Sequence, residues 1–239
     1  MEIARAAAGL FVSRGLRATR AEDIAQAAGI APRTFYRYFA TKEEAVAPLY
    51  AAGAERWTEA VREAPAELPL PAALEHAVRH TLTPGAAVSA ASWEWVRTLI
   101  RLARTVPALG KVWAEVCLTS EEVLAEVLAG RERAAGSSGG TVDAGTAADA
   151  GASADPAIPE DPVTPAVPVA SAAPFTPPER FTPAQRFTAA VASAAVRVAV
   201  ESWAVADGPA DGPEGPAELA LRNLAVLRGI GWEEQDRRP

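Results

Sequence analysis

The chain contains a single cysteine, Cys117, so no disulfide can form within it, and a small secreted scaffold held by bridges is excluded. Aromatic residues are scarce at 6% although hydrophobic residues reach 49%, and alanine makes up much of the difference. The alternation of β-branched and aromatic side chains that marks strands is almost missing, which predicts an all-α fold with closely packed helices. No run approaches the roughly 18 uninterrupted apolar residues of a membrane span, and no basic segment leads into an apolar stretch near Met1. The expectation is a cytoplasmic protein with no membrane partner. A net charge of −7 over 239 residues argues against indiscriminate coating of nucleic acid. That charge is uneven: residues 1–57 carry a balance of +2 and the remainder −9.

What is present begins with three helix signals in the first 40 residues. Ile3, Ala7, Leu10 and Phe11 form one apolar stripe ahead of Gly15. Thr19 with Glu22 reads as a capping box for a short second helix whose inner face is Ile24, Ala25 and Ala28. Gly29 then breaks the chain. Pro32 suits the first turn of a third helix, on which Phe35 and Phe39 turn inward and Arg33, Thr34, Tyr36 and Arg37 turn mostly outward. Thr41 with Glu44 predicts a long fourth helix from about Lys42 to Glu63. Two short helices joined by a glycine turn behind a bracing first helix make a helix-turn-helix unit, whose second helix lies in a DNA major groove.

The organisation expected from these signals is a helix-turn-helix domain over 1–46 and a helical regulatory part over 47–133. A Gly/Ser- then Pro-rich flexible linker follows over 134–181, and C-terminal helices fill 182–232. Helices are predicted at 71–83, 86–106 and 108–131. Thr182, Pro183 and Gln185 then cap a further helix, and Pro216 opens the last, which carries Leu219, Leu221, Leu224, Val226, Leu227 and Ile230. In the helix after Pro183, Phe187, Val191, Ala194 and Val198 form one stripe, with Val196, Val200 and Trp203 beside it. Apolar residues on more than one side exceed the needs of a single core contact and predict a subunit interface.

The stretch "AAAGLFVSRGLRATRAEDIAQAAGIAPRTFYRYFATKEEAV" resembles the DNA-binding domain of the TetR family of bacterial transcription regulators. The match runs through Ala7, Ala8, Phe11, Gly15, Thr19, Asp23, Ile24, Ala25, Ala28, Gly29, Thr34, Tyr36, Tyr38, Phe39 and Lys42, about a fifth of the chain. The resemblance implies a homodimer on double-stranded DNA with a near-palindromic operator, and a second domain that binds a small apolar effector. It also implies dimerisation through the last two helices of each subunit. "VASAAVRVAVESW" resembles, more loosely, the C-terminal domain of the subgroup that includes the mycofactocin regulator. The DNA-contact residues expected are Thr19, Arg33, Thr34, Tyr36, Arg37, Tyr38 and Lys42, with Arg33 suited to guanine and Lys42 to a phosphate. Relatives often have a serine cap where Ala31 stands, and a basic arm ahead of the first helix.

Trp93, Val96, Leu99, Ile100 and Trp113 are the expected lining of an apolar effector pocket. His76 and His80 are four apart, a metal-site spacing, but no cysteine or protease-type glutamate accompanies them. They are the only foothold for the competing class, an enzyme with an accessory helix-turn-helix. No catalytic constellation, cofactor motif or metal cluster is visible, so none is expected. Cys117 reads as a small buried apolar residue.

Overall fold

The computed structural model describes residues 1–85, 90–138 and 181–228, and most of the expected linker and the last residues, including Ile230, lie outside them. Nine α-helices occupy the described residues. The first three are α1 (Glu2–Arg14), α2 (Ala21–Ala27) and α3 (Pro32–Tyr38). The body holds α4 (Ala47–Glu63), α5 (Leu70–Leu82), α6 (Ala90–Thr105), α7 (Pro107–Ser138), α8 (Pro183–Val205) and α9 (Pro216–Arg228).

Local chemistry explains most of the boundaries. Gly15 closes α1 at φ 81°, a conformation a side chain disfavours, and its N–H returns to Phe11 O. Thr182 accepts the Gln185 N–H while Gln185 Oε1 accepts the Thr182 N–H, the reciprocal cap predicted for α8. The fourth helix starts later than expected. Glu44–Val46 is a 3-10 turn, and α4 begins at Ala47. Pro48 lies in the first turn of α4, where its ring suits a helix start and its missing N–H could not have continued an earlier one. Thr41 still receives the Glu44 N–H, but the Glu44 carboxylate takes the N–H of Ala40 rather than that of Thr41.

At the other end of the body, α7 runs to Ser138, past the expected linker start at 134. Arg131 anchors this helix end by donating to Ala64 O at 2.6 Å and Pro65 O at 2.8 Å, beyond the end of α4. Among the described residues, α8 is the one helix long and apolar enough to cross a membrane. Its inner face is core: Ala192, Ala199, Trp203 and Ala204 are at most 1% exposed, packed against α6, α7 and α9.

Two apolar cores hold the chain together. The first joins head and body, since Phe11, Ile24 and Phe35 share it with Tyr50, Trp93, Ile100 and Trp203. The second lies among α4, α5, α7, α8 and α9 around Trp57, Leu74, Leu124, Leu128 and Leu224. Val46 and Tyr50 belong to the first core, so packing runs unbroken past residue 46. Head and body are mechanically connected there.

Candidate nucleic-acid interface and effector cavity

Phe35 orients the third helix. It is fully buried, with its ring 5.5 Å from Phe39 and from Tyr36. A helix pinned on that side presents the opposite residues to solvent. Arg33, Tyr36 and Arg37 are exposed, and their i, i+3, i+4 spacing puts them on one face. Tyr36 is 52% and Tyr38 60% exposed, while Thr34 is half-buried. Desolvation first and the Glu22 carboxylate second raise the Tyr36 pKa, so the phenol stays a neutral donor, in contact with Glu22 Oε1 at 3.3 Å. Arg37 donates to Tyr38 Oη at 3.2 Å and its guanidinium lies 5.0 Å from that ring's centre. Tyr38 therefore faces out rather than packing beneath the helix.

Two expected contact residues are placed differently. Thr19 is wholly buried, and its hydroxyl donates to Gly15 O at 2.9 Å and Leu10 O at 3.3 Å. It braces the α1–α2 turn and does not cap α2. Arg20 holds the cap position, with its N–H donated to the Asp23 carboxylate at 2.8 Å. The turn after Gly15 brings residue 19 against the end of α1, which uses up its hydroxyl. Lys42 Nζ donates to Leu16 O at 2.7 Å and Thr19 O at 2.8 Å. Lys42 is thus a staple across the same turn, reached from 23 and 26 residues away.

This geometry predicts the outcome of Lys42→Met. Two carbonyls lose a charged donor, at about 1–3 kcal/mol, so the melting temperature falls and every duplex is bound more weakly alike. An unchanged melting temperature with a salt dependence shallower by about one unit would instead mark a phosphate contact.

The body holds a partly open cavity of about 170 Å³. All five residues expected there, Trp93, Val96, Leu99, Ile100 and Trp113, line it. Sequence reasoning missed Tyr50, Trp57, Cys117, Ser193, Arg197 and Glu121, which line it as well. Tyr50, near the start of α4, donates to Leu99 O at 3.0 Å and meets Trp113 edge-on at 5.2 Å, and burial raises its pKa strongly. Burial also pushes the Cys117 thiol up to about 12, leaving it protonated and unreactive near neutrality. One wall ends in a charge cluster. Glu201, 8% exposed, accepts Trp113 Nε1–H at 2.7 Å and Arg104 at 3.2 Å, and pairs with Arg197 at 3.6 Å. Its visible signal was an arginine and a glutamate four apart in an otherwise apolar helix. His76 and His80 are exposed on α5, and no group of His, Cys, Asp or Glu suited to a metal occurs among the described residues.

Known proteins match this arrangement. The sequence profile of the bacterial regulatory proteins of the tetR family matches residues 3–47. The HTH-type transcriptional repressor KstR2 of Mycobacterium tuberculosis is 51% identical over 45 residues, which is 19% of this chain and 22% of that protein. The HTH-type transcriptional regulator TcmR of Streptomyces glaucescens is 34% identical over 137 residues, 55% of this chain and 59% of that one. The matches therefore span about a fifth and somewhat over half the length of these relatives. Among solved structures, the TetR-family repressor FadR of Thermus thermophilus, in complex with lauroyl-CoA, superposes with a TM-score of 0.52. Its identity is 20%, over 95% of this chain and 92% of that one, a likeness of fold. With that profile spanning all three head helices, residues 3–47 carry the helix-turn-helix of the tetR-family regulatory proteins, and the chain as a whole shares the fold of FadR.

Proposed function

We propose that the protein is a ligand-responsive repressor that acts inside the cell as a homodimer on a palindromic operator. The observation that carries this reading is the exposed face of α3, where Arg33, Tyr36 and Arg37 stand together above a fully buried Phe35. Arginine meets guanine O6 and N7 bidentately, and tyrosine and threonine hydroxyls suit phosphates or base edges. Thr34, half-buried beside them, supplies a second hydroxyl at the edge of that face.

Dimerisation is supported by the outer side of the last two helices. The stripe of Phe187, Val191, Ala194 and Val198 points away from the core, with Phe187 65% and Val198 45% exposed, and Val226 on α9 is 67% exposed. Two such pairs meeting about a two-fold axis make a four-helix interface and set two α3 helices about 34–36 Å apart, one turn of DNA. The cavity touches α4 at Tyr50 and Trp57, and α4 follows directly on the head. A molecule that repositions Tyr50 tilts α4 and changes that spacing, which lowers DNA affinity by as much as it prefers the tilted state.

The test is Arg33→Ala combined with Tyr36→Phe, measured on a duplex enriched from a random pool. Loss of the arginine contact costs about 1–3 kcal/mol per half-site and relaxes preference at one base pair. Equal retention of wild type and double variant on that duplex contradicts the assignment.

A further inference from the structure

The cavity opens along one side of α4. Leu49, Tyr50, Gly53, Ala54, Arg56 and Trp57 all line it, at the three- and four-residue steps that share a helix face. Of the residues that line the cavity, only Gly53 and Arg56 are exposed, and the rest are buried or half-buried. These two stand one turn apart, which puts the opening at that turn. Gly53 keeps it clear. A side-chain carbon there would meet no atom beyond its own helix backbone within 4 Å, so close packing does not explain a residue that a helix interior disfavours.

Arg56, Glu121 and Arg197 are the charged residues of the lining. Two of them already have counter-charges. Arg197 pairs with Glu201 at 3.6 Å, and its charge also acts on Glu121, against the burial that raises the Glu121 pKa. Arg56 has no hydrogen bond or ion pair among the described residues, and Glu59, the acidic residue one turn further along α4, is taken by Arg62. An unpaired guanidinium fork at the rim of an apolar cavity matches a planar carboxylate. Because Arg56 is exposed, a carboxylate that meets it stays partly hydrated and avoids the cost of a buried ion. The deeper walls, Tyr50, Trp93, Leu99, Ile100 and Trp113, are apolar or aromatic. Their space of about 170 Å³ is close to the engineered apolar cavity of about 150 Å³ that takes benzene.

We propose that the cavity takes an amphipathic monocarboxylate, whose compact apolar body of no more than two fused rings lies among the aromatic walls while Arg56 holds its carboxylate at the α4 opening. This rests on the effector role proposed above and assigns the chemical class of that effector. The apolar body supplies most of the affinity, and the charge at Arg56 selects acids over neutral molecules of the same outline. The carboxylate also ties the ligand to α4, the helix that follows directly on the head.

Calorimetric titration of the full chain with 1-naphthoate and 1-naphthamide, which share an outline and differ in charge, tests this. Wild type should bind the naphthoate about five- to tenfold more tightly than the amide, and high salt should narrow that gap. Arg56→Gln should erase it, with naphthoate affinity falling about five- to tenfold and amide affinity changing less than twofold. Arg56→Lys, which keeps the charge and loses the fork, should retain part of it. Gly53→Leu is favoured in a helix and fills the opening, so both probes should weaken at least about tenfold. That variant separates a ligand in the cavity from one held on the surface by Arg56 alone. Gly53 and Arg56 are both exposed, so the variants should melt no lower than wild type. Equal affinity of wild type for the two probes, equal losses of both in Arg56→Gln, unchanged naphthoate affinity in Gly53→Leu, or binding of neither probe overturns the proposal. Naphthoate that binds as expected but leaves a protein–DNA complex intact keeps the ligand class and removes the effector role. The same titration result in a protein that binds no duplex upholds the site and removes the DNA reading alone.

Discussion

Replacing Phe35 by alanine abolishes binding to every duplex and lowers the unfolding free energy by about 3–5 kcal/mol, the range for deleting a fully buried phenylalanine. Phe35 has no exposed surface, and it is the one buried residue of α3. Its ring contacts to Phe39 and Tyr36 fix which face of that helix is outward. A seven-residue helix cannot persist alone. Without this anchor, Arg33 and Arg37 lose a common face. Because Phe35 shares a core with Trp93 and Trp203, denaturant unfolding of the whole chain should move to lower concentration. The head should not melt as a separate unit. Arg33→Ala provides the contrast, weakening DNA binding with the unfolding midpoint unchanged. Operator affinity within twofold of wild type in Phe35→Ala would show that α3 is not positioned by this contact.

The second large effect is expected from Phe187→Glu with Val198→Glu. Each of these residues is already largely exposed in a single chain, so the carboxylates cost little in a monomer. In a dimer formed through this face they place four charges against apolar partners, which desolvation makes prohibitive. Sedimentation should show a monomer. Affinity for a two-half-site duplex should drop at least about 100-fold, because the second half-site is then no longer bound at high effective concentration. A variant that sediments as a dimer would move the interface elsewhere on the molecule.

The head was the most legible part of the sequence because its signals are local. Gly15, Gly29 and Pro32 punctuate it, and the apolar spacing of Phe11, Ile24 and Phe35 marks the inside. The contacts of two residues in it were not legible, for the same reason. Thr19 and Lys42 have side chains whose partners are backbone carbonyls brought together only by the fold, and no sequence period reports such a contact. In the body, the five cavity residues were recognised as large side chains on two consecutive helices. Tyr50, Trp57 and Ser193 come from α4 and α8, and their convergence on the same space depends on how those helices cross. In α8, both apolar stripes were visible, but not which one faced inward. The alanines at 192, 195 and 199 settle that by allowing the close approach of α6, α7 and α9, which leaves the bulkier Phe187 stripe outside. Pro48 was a missed local signal, since the capping box at Thr41 and Glu44 just ahead of it suggested an earlier helix start.

The most direct measurement is titration of the purified wild-type protein with a duplex selected from random sequence, followed across salt concentrations. Two chains should bind per duplex with half-sites one helical turn apart, and affinity should fall steeply and log-linearly with salt. A protein that at low salt enriches no duplex, or retains all sequences equally, would contradict the account.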